Sequence, residues 1–599
     1  MVENVTLQRD CMRTLLTLLI AGALHAQAPA PIPETDARNT EIPNTDTHFT
    51  ARTYQTRAEW LARRAHLRKQ ILSAAGLLPM PPRTPLHPQI FGRIENQTYS
   101  IEKVLLETMP GYYLGGNLYR PLQAPPAGGF PGIVSPHGHW DYGRLEHSVN
   151  ASVPARCINL ARQGYVVFCY DMVGYNDTIQ TPHDFGGPLE QLWDFSPLSL
   201  QLWNAIRAVD FLQSLPGVNA ARIGATGASG GATQTFLLAA VDDRIQFSAP
   251  VNMISAIMQG GGICENAPNL RLDTNNVEIA AMMAPRPMIM VSATGDWTKN
   301  SLTEEFPAVR AIYQLFGQAA NVEAMHQDAP HNYNQVAREA VYRFFGEHVL
   351  GETDAAKFKE HGIRLEKLQD MLALHNRTLP AGALDYAGLF AQWVRTAQAL
   401  VRETTDRGQL REMLELALGA EWPQRVASES RGDRIVFGRP GRGDRVAGFR
   451  IAGEGRKVLF IHPDGAEAAR HSAEFAALVR TRRPIYAIDA FQTGAAVAPR
   501  NRDAKMFLTF NRSDDANRVQ DILTVLRWLD APDVELVGVG RAAVWCQFAA
   551  ALSRQKVVLS TNVSNFTGTD QEYVDGFFVP GIQRAGGLGV ARLLSENRE

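Results

Sequence analysis

The stretch RIGATGASGGATQTFLLAA, Arg222 to Ala240, decides the reading of this chain. A short run of Ile, Gly and Ala leads into Gly227-Ala228-Ser229-Gly230-Gly231, and an apolar segment with helical composition follows. The five residues fit G-x-S-x-G, in which a serine occupies a sharp, strained turn between a strand and a helix. Small residues on either side let neighbouring backbone come close, and the helix that begins there directs free N–H groups and a positive dipole end at the serine.

Outward from the elbow, segments alternate. YSIEKVLLETM and YYLGGNLYRP read as strands, GFPGIVSPHGHW as a buried strand with a turn, SVPARCINLARQG as a helix, and YVVFCYDMVGYND as a second buried strand. The helix LSLQLWNAIRAVDFLQSL precedes the elbow strand, and IQFSAPVNM, RPMIMVSATGD and NVEAMHQDA follow it as further strands. QVAREAVYRFFGEHVL closes the series as a helix. Strands rich in Val, Ile and Met separated by helices predict an α/β fold with a mostly parallel, doubly wound sheet.

With 599 residues the chain exceeds what one core commonly serves. Similar stretches recur in order after residue 423: RKVLFIHPDG echoes FPGIVSPHGH, RPIYAIDAFQTG echoes GYVVFCYDMVGYN, and ILTVLRWLDAPDVELVGVGRAAV echoes the segment that ends at the elbow. The expected organisation is a leader at 1–28, a linker and helix at 29–96, a catalytic domain at 97–350, a helical connection at 351–423, and a degenerate, truncated, noncatalytic copy at 424–599. In that copy Ala542 is expected at the position of Ser229, with no later acid or histidine to match.

The leader reading rests on Arg13, the apolar run LLTLLIAGALHA and the small residues Ala26-Gln27-Ala28, which fit a signal peptide with an A-x-A cleavage site and predict export. The run is too short to span a bilayer, so no membrane span is expected in the mature protein. A net charge of -2 offers no basic excess for nucleic acid. Five cysteines without C-x-x-C spacing signal neither a zinc site nor a disulfide framework. No cofactor is implied, and His137 with His139 lacks further ligands for a metal.

A serine hydroxyl needs a base, and the base an orienting acid. His331, in the turn DAPHNYN after the last strand, is the base by placement; His326 ends a strand and His348 lies in the closing helix. Asp296, at the carboxyl end of RPMIMVSATG, is the acid, with Glu265 in GGGICENAPNLR as its rival or as a pocket residue paired with Arg271. The N–H groups of Gly230 and His139 are expected to form the oxyanion hole. Trp140, Trp193 and Trp297 are candidates for a sugar-stacking wall, and with Glu265 they make the expected substrate-binding set.

Together HGHW, GASGG, SATGDWT and APHNYN resemble the α/β-hydrolase superfamily, in particular acetyl xylan esterase-like enzymes related to dienelactone hydrolases and prolyl oligopeptidases. The resemblance covers residues 99–350, and weakly 456–563. It implies Ser229 as nucleophile, Asp296 as acid, His331 as base, and an oxyanion hole at His139 and Gly230; with the leader, the expected protein is a secreted esterase acting on an acylated carbohydrate, with acetyl as the expected acyl group and plant polysaccharides such as xylan as the expected substrate. A prolyl oligopeptidase-like peptidase, a glucuronoyl-type esterase and a noncatalytic binding protein remain open at this level.

Overall fold

The computed structural model describes residues 32–561, 563 and 565–596. The expected leader at 1–28 lies outside the described residues. Two sheets organise the rest. The first contains β1 (Gln89–Glu95), β2 (Tyr99–Met109), β3 (Tyr112–Pro121), β4 (Phe130–Val134), β5 (Val166–Tyr170), β6 (Val218–Ala228), β7 (Ile245–Val251), β8 (Met288–Gly295) and β9 (Val322–Pro330), in the order β1-β2-β3-β5-β4-β6-β7-β8-β9. β1 to β3 pair antiparallel, β3 pairs antiparallel with β5, and β5-β4-β6-β7-β8-β9 is parallel throughout.

The sequence of β5 shows why this sheet is buried on both faces. Val166, Phe168 and Tyr170 enter one apolar cluster, and the alternate residues Val167 and Cys169 enter another on the opposite face. Helices Pro197–Ser214 and Gly230–Val241 cover the first face, and Val153–Arg162 and Gln335–Phe345 the second. Helix Pro197–Ser214 begins where Ser196 accepts the Ser199 N–H at 3.2 Å, with Pro197 in the first turn, where a missing N–H costs nothing. Phe168, wholly buried, meets Phe211 of that helix edge to face at 4.9 Å between centroids; truncation to Ala would cost about 3–5 kcal/mol.

The second sheet comprises β10 (Ala427–Arg431), β11 (Arg434–Gly438), β12 (Val446–Ile451), β13 (Lys457–Ile461), β14 (Ile485–Ile488), β15 (Asp533–Gly538) and β16 (Lys556–Leu559), in the order β10-β11-β12-β14-β13-β15-β16. This order repeats that of β1 to β7, strand for strand and with the same sense at each pairing. Counterparts of β8 and β9 are absent among the described residues.

Several expectations need correction. β1 falls within the segment expected as linker, yet its pairing with β2 makes it the edge of the first sheet, so 97 is too late a boundary. Residues 351–385 are mostly irregular, with a 3-10 turn at Ala355–Phe358 and a one-turn helix at Leu368–Met371; the longer helices are Tyr386–Glu403 and Arg407–Leu418. The irregular strap is held because its carbonyl at Met371 accepts from buried Asn117 and Arg144, and its N–H groups at Ala373 and Leu374 donate to Asp177.

Ala542 also does not occupy the elbow position. A Cβ on Gly227 would lie 2.5 Å from the carbonyl oxygen of Gly231, four residues on, and a Cβ on Gly538 would lie 2.8 Å from that of Ala542. The residue two after each glycine has left-handed backbone: Ser229 at φ 58° and Gly540 at φ 54°. Gly540 therefore stands where Ser229 stands, and Ala542 matches Gly231.

The sheets share one continuous apolar cluster, and polar contacts stitch them together. Asn269 and Arg271, in the loop after β7, donate backbone N–H to Leu508 and Thr509 carbonyls at 2.8 and 2.9 Å, and Arg38 pairs with Asp521 at 2.7 Å. Among the described residues, no helix is long and apolar enough to cross a membrane.

Candidate active site

Ser229 sits at the carboxyl end of β6, at φ 58° and ψ -127°, as the cap of helix Gly230–Val241. A left-handed serine is strained, and the surroundings hold it there. Its N–H donates to Val251 at 3.1 Å, and its carbonyl accepts from Ala232 and Thr233. The glycines follow from close approach. Cβ atoms on Gly227 and Gly231 would lie 2.7 and 2.8 Å from the Pro136 carbonyl oxygen, and one on Gly138 would lie 3.1 Å from the Ser229 Cβ. The turn after β4 thus lies directly against the elbow.

That turn is fixed by His137, fully buried. Its Nδ1 meets the Gly138 carbonyl at 2.7 Å, and its Nε2 accepts the Met172 N–H at 2.9 Å, which sets a neutral imidazole with the proton on Nδ1. Burial pushes its pKa down to about 3, only partly opposed by the Gly138 carbonyl. The N–H groups of His139 and Gly230 have no acceptor among the described residues.

Asp296 directly follows β8, and His331 directly follows β9. His331 Nδ1 donates to Asp296 Oδ2 at 2.8 Å, while Asp296 Oδ1 accepts from the N–H of Thr298 at 2.7 Å and from its hydroxyl at 2.5 Å. The Asp296 carboxylate is 1% exposed and the His331 side chain 24%, so solvent does not compete for the carboxylate. His331 Nε2 has no hydrogen-bond partner among the described residues. It is not bonded to Ser229; such pairs are often looser without substrate.

Both Trp140 and Trp297 lie against the His331 ring, at centroid distances of 6.0 and 4.5 Å. Tyr333, which the sequence reading passed over, ties the histidine loop to the elbow strand. Its hydroxyl lies 2.8 Å from that of Thr226, three residues before Ser229, and its N–H donates to Asn150 at 2.7 Å. Thr298 was also passed over, although an aspartate followed two residues later by threonine is a common local hydrogen-bonding turn.

Two expected substrate contacts fail. Trp193 is 4% exposed, its indole N–H donates to Asp570 at 3.1 Å, and its carbonyl accepts from Trp393 at 2.9 Å. It packs the two halves of the chain together. Glu265 is also buried, and its carboxylate accepts from the Thr233 hydroxyl at 3.0 Å and the Gly261 and Gly262 N–H groups at 2.9 and 3.2 Å. Those bonds hold the glycine loop and leave no role beside His331. Arg271 reaches the backbone carbonyl of Glu265 at 3.0 Å, so the expected pairing does not involve the carboxylate. The four cysteines at 157, 169, 264 and 546 are free thiols.

No family model matches the chain. "Putative hydrolase YtaP" of Bacillus subtilis (strain 168) is 25% identical over 305 residues, which cover 47% of this chain and 98% of that protein. The solved structure "Methylesterase BT1017" aligns at 28% identity over 60% of this chain and 77% of its own, with a TM-score of 0.49. A glucuronoyl esterase from Solibacter usitatus aligns at 16% identity over 53% and 99%, with a TM-score of 0.38. An acetyl xylan esterase from Paenibacillus sp. R4 aligns at 18% over 51% and 98%, with a TM-score of 0.33. The curated relative is named only as a putative hydrolase, and the solved structures named here are esterases. Resemblance at this level leaves the substrate to chemical argument.

Proposed function

We propose that the chain is an exported serine ester hydrolase that removes small acyl groups, acetyl foremost, from plant polysaccharides such as xylan. The observation that carries the proposal is the left-handed Ser229 at the end of β6 with the Asp296–His331 pair at the ends of β8 and β9. In this reading Ser229 Oγ attacks the ester carbonyl as His331 Nε2 takes its proton. The tetrahedral oxyanion is held by the Gly230 and His139 N–H groups, and Asp296 stabilises the imidazolium. Collapse breaks the carbon–oxygen bond to the alcohol, which leaves with the proton from His331. Water, deprotonated by His331, then releases the acid and restores Ser229.

Trp140 and Trp297 beside the base supply flat apolar surface suited to a pyranose face, which supports a carbohydrate alcohol. The leader residues support export. The half from 424 onward we assign as a noncatalytic hydrolase-like copy: it repeats seven strands in order and carries Gly540, without a side chain, at the nucleophile position. Turnover of p-nitrophenyl acetate, then of acetylated xylan, a glucuronoyl ester and a chromogenic peptide, tests the reading. Hydrolysis of acetyl esters, lost in Ser229→Ala, is expected; cleavage of the peptide with no ester turnover would overturn it.

A further inference from the structure

His139 lies in the turn after β4, two residues beyond His137. Its Nε2 lies 3.0 Å from the sulfur of Cys264, and its ring meets that of His183 at 5.2 Å between centroids. The donor atoms of His139, His183 and Cys264 all lie within 4.8 Å of one another. These three come from the turn after β4, the segment after β5 and the loop after β7, so the topology brings together residues far apart in sequence.

His183 supplies the telling detail. Its Nδ1 donates to the Val173 carbonyl at 2.6 Å, which fixes the ring and leaves a lone pair on Nε2. That Nε2 is buried and has no hydrogen-bond partner among the described residues. A histidine oriented through one nitrogen by a backbone carbonyl, with the other nitrogen free, is the usual preparation of a metal-ligating imidazole. Burial, with Glu265 and Asp184 nearby, pushes the Cys264 thiol well above its ordinary pKa, so it keeps its proton until a cation displaces it. His139 is exposed and His183 half-buried, while Cys264 is buried.

We propose that His139, His183 and Cys264 form a binding site for a single soft divalent cation, zinc above all, beside the oxyanion turn. Two imidazole nitrogens and one thiolate are the ligand class zinc selects, and calcium or magnesium would be rejected for want of oxygen donors. Zinc takes nitrogen at about 2.0–2.1 Å and sulfur at about 2.3 Å, so tetrahedral donors stand roughly 3.3–3.7 Å apart. The donors, now within 4.8 Å of one another, would draw together by about 1 Å around the fixed His183 ring. Binding releases the thiol proton to solvent and leaves the fourth position to water. The site is independent of the ester-hydrolase reading.

The test is titration of the full-length, reduced protein with cobalt or cadmium, followed by the thiolate-to-metal absorption band, and then competition with zinc. Expected are saturation at one equivalent, loss of the band in Cys264→Ser, and at least a tenfold weaker affinity in His183→Gln, a variant that keeps the thiol. Absence of the band in the wild-type protein, its survival in Cys264→Ser, or an unchanged affinity in His183→Gln would overturn the proposal. A protein that shows the band yet hydrolyses no ester would refute the function proposed above and leave the metal site standing.

Discussion

Asp296→Asn separates the two carboxylates that the sequence left in competition. In the structure Asp296 Oδ1 takes both Thr298 donors, and Oδ2 takes His331 Nδ1–H. An asparagine keeps its oxygen toward the Thr298 donors, so its NH2 group faces His331. Nδ1 must then accept, the proton moves to Nε2, and the histidine can no longer deprotonate Ser229. Loss of the correct tautomer is worth about 10⁴ in kcat, or about 5.5 kcal/mol of barrier. Glu265→Gln differs in kind: it replaces one acceptor among bonds to Thr233, Gly261 and Gly262, costs about 1–3 kcal/mol of stability, and leaves kcat within a few-fold. Steady-state turnover of p-nitrophenyl acetate, with thermal melting of each variant, reads both effects. A kcat loss below about tenfold in Asp296→Asn, or a larger loss in Glu265→Gln, would refute the assignment.

Three further outcomes are expected. Gly540→Ser, placing serine at φ 54°, should destabilise the protein by about 1 kcal/mol and gain no esterase activity, because the second sheet has, among the described residues, no counterparts of β8 and β9 to carry an Asp–His pair; new turnover in a Ser229→Ala background would contradict this. His137, neutral in the fold with a pKa near 3 against about 6.5 when unfolded, contributes stability that is complete above about pH 6.5 and is lost as pH falls toward 3. Denaturant unfolding at pH 7 and 4.5 should show a steeper loss for the wild type than for His137→Gln, and equal slopes would refute it. Removal of 424–599 strips Trp193 of Asp570 and Arg38 of Asp521 and opens the shared apolar cluster, so solubility and melting temperature should both fall; an equally soluble, equally stable truncated protein would refute the packing role.

The parallel core and the three residues of the proposed triad were legible because their signals are local. β5 is an unbroken apolar run of five residues, buried throughout, and Ser229, Asp296 and His331 each stand at or just beyond the carboxyl end of a strand. β1 was not legible, since QIFGRIE is half-exposed and lacks a buried stripe, and Pro-rich sequence precedes it. β10, ASESR, is a polar edge for the same reason. Trp193 misled because its partner Asp570 lies 377 residues away, and no local pattern reports such burial. The elbow of the second half was misplaced because small residues crowd both Gly540 and Ala542; only the backbone, through the left-handed turn and the contact of Gly538 with the Ala542 carbonyl, tells them apart.

The central claim is that Ser229 is a nucleophile activated by His331. Reaction of the full-length protein with a fluorophosphonate, followed by digestion and mass mapping of the modified peptide, tests it most directly. One label per chain on the peptide containing Ser229, absent in Ser229→Ala and strongly slowed in His331→Ala, is the predicted result. No label, or a label on another residue that persists in Ser229→Ala, would contradict it.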